Sequence, residues 1–318
     1  MKSKSMNLTP HKSFPLKLEN TFKIISIALL LMSFNLNAAE LSEKIASCTQ
    51  ALNQGDINKA ATISADILKS EANNRDGLLC KGRALGAQGN YKEALNAFEQ
   101  GVTQSKQPFE QIIAYLLIGN LHKDNKQYPS ALASYEKSLA ICLQQNNQKY
   151  THINYLLIGE TYALNNDLNA AISNYKLSEK IAMNDNERAD SQERLANTYS
   201  TLGQHDLAIE NQIRAVLLQR RSGTLDQNAN AMQEMARIYM AAKEYQNAER
   251  AYGKLGQFAK ENGGAYYEAK ANIGTAQAKL ALGDTATAKT LLADAQKTAT
   301  SIGANDLLTE INLLQSKL

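Results

Sequence analysis

After residue 40 the chain repeats one arrangement of small, apolar and polar positions. Tyr115-Leu116-Leu117-Ile118-Gly119 returns forty residues later as Tyr155-Leu156-Leu157-Ile158-Gly159. An alanine stands twelve residues past each glycine, at Ala131 and Ala171, and a tyrosine four residues further on, at Tyr135 and Tyr175. The same frame extends over the rest of the chain. Its alanines are Ala60, Ala94, Ala131, Ala171, Ala208, Ala248 and Ala288, at spacings of 34, 37, 40, 37, 40 and 40. Twelve residues before them lie Cys48, Gly82, Gly119, Gly159, Ala196, Ala236 and Ala276, all small. Turn signals fall between the two sets at Gly55-Asp56, Gly89-Asn90, Asn166-Asp167, Gly203-Gln204 and Gly283-Asp284. The apolar residues of Asp306–Leu314 follow helical spacing, which predicts a closing helix over 305–318.

This frame resembles the tetratricopeptide repeat: an aromatic, a leucine-glycine pair, a tyrosine, an alanine, then an aromatic. The resemblance implies an all-α fold, an α-solenoid of about seven helix-turn-helix repeats covering 40–318, with 305–318 as a capping helix. It also implies that the small residue and the alanine mark where the two helices of a hairpin approach closely. One hairpin cannot bury its apolar face alone, so stacking is obligatory. The chain departs from the pattern in its scarcity of proline: after the leader only Pro108 and Pro129 remain. A 40-residue period exceeds the usual 34 by six residues, or about 9 Å of helix.

Composition agrees with helix. Hydrophobic residues make up 44% and charged residues 20%, which suffices for a core and argues against wholesale disorder. The net charge of +3 is local to the start of the chain. Residues 1–39 hold five of the 34 bases and one of the 31 acids, leaving 29 and 30, a net of −1. The remainder therefore has no basic bias toward a phosphate backbone, and a nucleic-acid partner is disfavoured. Lys17 and Lys23 precede the apolar run 24–34, followed by Asn35-Leu36-Asn37-Ala38-Ala39. Basic, apolar, then small residues predict a secretory signal peptide over 1–39, cleaved near Ala38 or Ala39. This run of 11 residues falls short of the roughly 20 that span a membrane, so any membrane association rests on an uncleaved leader. The expected destination is the periplasm, or secretion.

Catalytic signatures are lacking in the sequence. No His-Glu-x-x-His, Cys-x-x-Cys or Gly-x-Ser-x-Gly occurs, and no cofactor or metal site is predicted. His122 and His205 occupy frame positions where sister repeats carry tyrosine, which reads as packing. Eleven of the 14 tyrosines fall at repeat-packing positions. Tyr266-Tyr267 stands outside them and is left open between a ligand-facing pair and a helix-start staple. Cys48, Cys80 and Cys142 are an odd count for an oxidising compartment, and a Cys48–Cys80 disulfide is left open.

The resemblance further implies that the first helix of each hairpin lines a concave groove. The groove-facing places lie three before and one after the small residue. They select Leu79, Arg83, Leu116, Asn120, Leu156, Glu160, Glu193, Asn197, Gln233 and Arg237 as partner-binding residues. The earlier place holds no lysine, which disfavours clamping a partner's C-terminal carboxylate. Asn120 and Asn197 are suited to bond an extended peptide. The leucines either confer specificity or fill space between first helices. Charge reversal at Arg83 and Glu160 is expected to affect binding and to spare stability. The expected function is a non-enzymatic interaction scaffold or adaptor that binds a protein or peptide. The alternative is a separate sensory or regulatory subunit that binds a small ligand or peptide for a membrane signalling system.

Overall fold

A computed structural model describes residues 39–318. The leader expected over 1–39 lies, except for Ala39, outside the described residues. Fifteen helices and no strand are found among the described residues. The chain divides into two compact units near the end of the fourth helix, the first running to Gly101 and the second over Val102–Leu318.

The first unit holds α1 (39–53), α2 (Ile57–Ser70), α3 (Arg75–Ala87) and most of α4 (Tyr91–Gln104). The second holds α5 (Pro108–Asp124), α6 (Tyr128–Gln144), α7 (Gln148–Leu164), α8 (Leu168–Ile181) and α9 (Asp185–Thr201). It continues with α10 (His205–Ser222), α11 (Leu225–Ala241), α12 (Tyr245–Glu261), α13 (Ala265–Ala281), α14 (Thr285–Ile302) and α15 (Asn305–Gln315). Odd-numbered helices are the first members of successive hairpins, and α15 closes the series.

Each hairpin turn uses one backbone solution. The residue five before the alanine adopts a left-handed conformation: Gly55, Gly89, Lys126, Asn166, Gly203, Lys243 and Gly283. The following amide then reaches back to a carbonyl of the first helix, as in Gln127 N to His122 O (2.8 Å) and Glu244 N to Tyr239 O (2.9 Å). Asp56, Asp167 and Asp284 start the second helix by accepting a bond from its third amide. Lys126 and Lys243 hold this conformation with a side chain attached, at a cost of about 1–2 kcal/mol each.

The core lies between the paired helices. All seven frame alanines are fully buried, as are Cys48, Ala196, Ala236 and Ala276. Where the small residue is glycine, an aromatic from the second helix fills the space of the missing Cβ. Phe98 lies on Gly82, Tyr135 on Gly119 and Tyr175 on Gly159. Where the small residue carries a Cβ, the matching position is Ser64, Gln212 or Leu292. Tyr252 is the exception: its own hairpin offers Ala236, and its ring lies instead on Gly274 of α13 in the next hairpin. The packing role of the other tyrosines holds in graded form. Tyr135, Tyr175, Tyr199 and Tyr252 are buried, and the remaining seven are half-buried.

Two tyrosines that the sequence left open act as ties. The Tyr266 hydroxyl donates to Asp306 Oδ2 (2.7 Å), fastening α13 to α15, and Tyr267 donates to Asn230 Oδ1 (3.2 Å) on α11. Leu307 and Ile311 of α15 are fully buried against Ile273 and Leu292. In the first unit Cys48 and Cys80 form a disulfide with Cα atoms 6.5 Å apart, inside the usual range. It links the first helices of the first two hairpins.

A methyl group at residue 119 has no room beneath the Tyr135 ring. Gly119→Ala is therefore expected to lower stability by about 1–3 kcal/mol despite the better helix propensity of alanine. Urea unfolding followed by circular dichroism measures it. A variant as stable as the parent would refute the seating of the ring.

Candidate functional site

In the second unit the first helices touch one another in sequence, α5 with α7, α7 with α9, α9 with α11, and α11 with α13. Among the described residues no such contact joins α6, α8, α10, α12 and α14. A stack whose members are closer along one edge bends toward that edge. The row of first helices is therefore the concave side of this unit.

A polar ladder runs along that side. Glu160 on α7 lies between Lys123 on α5 (3.1 Å) and Arg194 on α9 (3.8 Å). Arg194 also pairs with Asp190 (3.2 Å). Arg237 on α11 donates to Asn197 on α9 (2.6 Å) and pairs with Glu234 (2.7 Å). These bonds connect successive first helices and hold them in register.

The ladder changes the reading of the expected groove residues. Leu79 and Arg83 belong to the first unit, where Leu79 is buried against Gly101. Leu116 is buried in the cluster around Tyr135 and Ile112. Leu156 is buried too. Leu79 and Leu116 therefore fill space, because neighbouring helices already cover them, whereas Leu156 also reaches an opening. Asn120 accepts the Tyr135 hydroxyl (2.6 Å) and Asn197 accepts Arg237, so both carbonyls are engaged within the protein. A lysine at Glu160 would meet Lys123 and Arg194, so charge reversal there costs stability. Gln233 is half-buried and Arg237 exposed on α11.

The concave side opens into a cavity of 530 Å³ between α7, α9, α10 and α11. Of the ten expected residues it gathers only Leu156, at its floor, and Glu193. The others are Lys149, His152, Ile153, Asn186, Glu187, Asp190, Gln219, Gln227 and Asn230. Most continue the expected stripe backwards along each first helix. Leu156, Ile153 and Lys149 descend α7, and Glu193, Asp190 and Glu187 descend α9, at helical spacing. Extending the place three before the small residue by further steps of three or four would have found them.

The polar groups of this cavity differ in how far they are committed. Glu187 caps its own helix, accepting from the Met183 amide (2.7 Å) and from Asn184 Nδ2 (3.0 Å). Asp190 holds Arg194. His152 is buried, with Nδ1 2.7 Å from Ser178 Oγ. Glu193 makes no ion pair among the described residues, and its one hydrogen bond is a long contact from Gln219 Nε2 (3.5 Å). Gln219 is 5% exposed, and its Oε1 has no donor. Burial, reinforced by Asp190, raises the Glu193 carboxyl to about 7.

A carboxyl raised in the folded state favours the fold while it stays protonated. That contribution is complete below the ordinary carboxylate range and is lost as pH rises through about 7. Glu193→Gln keeps the shape and removes the titration. The variant is expected to melt at least as high as the parent at pH 8, with a flatter fall between pH 5 and 8. Calorimetric melts across that range decide it: parallel curves would sink the assignment.

Among the described residues no helix is long and apolar enough to cross a membrane. The search against curated proteins gives no match. The tetratricopeptide repeat family model matches residues 112–145 and 189–221, the hairpins α5–α6 and α9–α10. Solved structures resemble the chain in fold. A signal-transduction ATPase of the STAND class with a tetratricopeptide repeat sensor, from Pyrococcus horikoshii, has a TM-score of 0.67 at 17% identity. That match covers 85% of this chain and 43% of that one. The apo form of RapI has a TM-score of 0.65 at 13% identity, covering 86% and 80%. A chain of the APC/C hetero-tetramer Cut9-Hcn1 has a TM-score of 0.53 at 18% identity, covering 83% and 48%, so this chain spans about half its length. The frame read from the sequence, the hairpins built on it and the matched segments agree: the described residues are all-α, and two of their hairpins match the tetratricopeptide repeat.

Proposed function

We propose that the protein is a non-enzymatic interaction scaffold or adaptor of the bacterial periplasm, which binds a protein or peptide on the concave side of its second unit. The open cavity of 530 Å³ on that side carries the reading. Its rim offers the exposed amide N–H groups of Asn186, Gln227 and Asn230, whose oxygens already accept from Ser222, Thr224 and Tyr267, and Ile153 and Leu156 give it an apolar surface. That combination suits an extended chain, whose backbone needs hydrogen-bond partners and whose side chains need a surface to lie against. The repeat fold is in general a protein-interaction module, and the Cut9-Hcn1 assembly is one of the matched structures.

The compartment rests on two supports, the basic and apolar leader and the Cys48–Cys80 disulfide, which favours an oxidising environment. Cys142 is free and buried. Protein extracted from cells under denaturing conditions with a maleimide present should label at Cys142 alone, and at all three cysteines after reduction. Labelling at three sites before reduction would place the protein in a reducing compartment.

A second reading, a separate sensory or regulatory subunit, is favoured by the size of the same cavity, which lies in the range of small-ligand sites. One of the matched structures contains a repeat sensor. Affinity capture from periplasmic extract separates the two. Protein 40–318 is compared with the variant Lys149→Glu/Asn186→Trp, both substitutions at exposed positions of the rim. The scaffold reading expects a captured protein that the variant loses at least tenfold, at an unchanged melting temperature. Equal capture by both forms would remove the cavity from the interface. A rise in melting temperature with a small ligand, and no captured protein, would favour the sensor.

A further inference from the structure

We infer that this cavity is a pocket for a basic side chain, an arginine or lysine of the bound peptide, with Glu193 as its anchoring carboxylate. The inference rests on the peptide-binding reading and names the chemistry of the site. Of the three carboxylates in the cavity, Glu187 is spent on the cap of α9 and Asp190 on Arg194. Glu193 is left without a cation. Beside it stands Gln219, more than nine-tenths buried, which turns its Nε2 toward the carboxylate at the long distance of 3.5 Å and its Oε1 toward Gly223. A ligand ammonium or guanidinium supplies what Glu193 lacks, a positive charge and close N–H donors. Ile153 and Leu156 form the apolar floor along which the aliphatic stem of such a side chain lies.

The surroundings of Glu193 favour a single cation. Asp190, Glu187 and Arg194 face it from its own helix, Lys149 and His152 from α7, and Glu234 from α11; α10 presents the uncharged Gln219. Lys149 is exposed on the rim and opposes a ligand with several positive charges, so one basic side chain on a peptide fits better than a free polyamine.

Occupation by a cation favours the ionised carboxylate, so binding and proton release are coupled. With the free group titrating at about 7, affinity should rise about tenfold from pH 6 to pH 8.

The test uses fluorescein-labelled hexapeptides of alanine and serine with arginine, citrulline or glutamate at one central position, followed by polarisation with the purified protein. Spermidine is a fourth probe, followed as competition against the labelled arginine peptide and by calorimetry. The arginine peptide should bind at least tenfold tighter than its neutral citrulline counterpart at pH 8, and about tenfold more weakly at pH 6. Glu193→Gln should abolish both the preference and the pH dependence, and its melting temperature at pH 6 checks that it is folded. Equal binding of all three peptides, or an arginine preference that survives Glu193→Gln, overturns the basic-pocket inference and leaves the peptide-binding reading standing. Spermidine binding with silent peptides overturns the peptide source and favours the small-ligand reading. No binding of any probe at millimolar concentration overturns the pocket, while the capture experiment still decides the scaffold reading by itself.

Discussion

Two helices can approach closely only where one of them gives up side-chain volume, and this chain meets that constraint seven times. The position twelve before each alanine is never larger than cysteine. At six of the seven the matching position on the second helix follows that volume, and Tyr252, opposite Ala236, reaches the next hairpin instead. Glycine at 82, 119 and 159 meets a ring, whereas the matching position holds serine, glutamine or leucine where the small residue is Cys48, Ala196 or Ala276. Hairpin geometry follows from that fit, and everything on the concave side follows from hairpin geometry. With the helices of each pair fixed, the first helices of the second unit fall into one row, close enough for Glu160 to reach both Lys123 and Arg194.

That row divides its polar groups between two tasks. Asn120, Glu160, Asn197 and Arg237 bond to other side chains of the protein and keep the helices in register. Their exposed charge pairs contribute little individually, of order 0–1 kcal/mol each. The cavity begins where this mutual satisfaction stops. Glu193 has neighbours of mixed sign and no close cation, and Gln219 keeps an unanswered oxygen. A carboxylate without a close cation inside an opening costs the folded state stability, and a bound cation can return it.

The sequence makes the fold legible because the repeat states the same constraint seven times. It marks five of the seven hairpin turns with glycine or asparagine. The turns at Lys126 and Lys243 carry no such mark, because there the neighbouring helices impose a left-handed backbone on a residue that does not favour it. The division near Gly101 is equally silent, since it falls near the end of a helix and no change of composition accompanies it. The site was legible only in part. The places three before and one after the small residue stand on the first helices, and in the second unit two of them, Leu156 and Glu193, line the cavity. Which of them neighbouring helices cover depends on curvature, and pairwise spacing carries no curvature. Hence Leu116 closed over and Asn120 became engaged with Tyr135, while His152 and Asp190 came into the opening from further back along the first helices and Gln219 from the end of α10.

The ring of Tyr252 has a consequence for how the chain opens. In an ideal repeat array every hairpin is a similar unit, and unfolding proceeds from an end one unit at a time. Here α12 places its ring on Gly274, a residue of the following hairpin, and α13 in turn fastens α15 through Tyr266. The last two hairpins and the closing helix thus share side chains across their borders and form one cooperative block. Fraying from the C-terminus must release that block together, so the border with the least shared packing lies nearer the middle of the unit, beside the helices that shape the cavity.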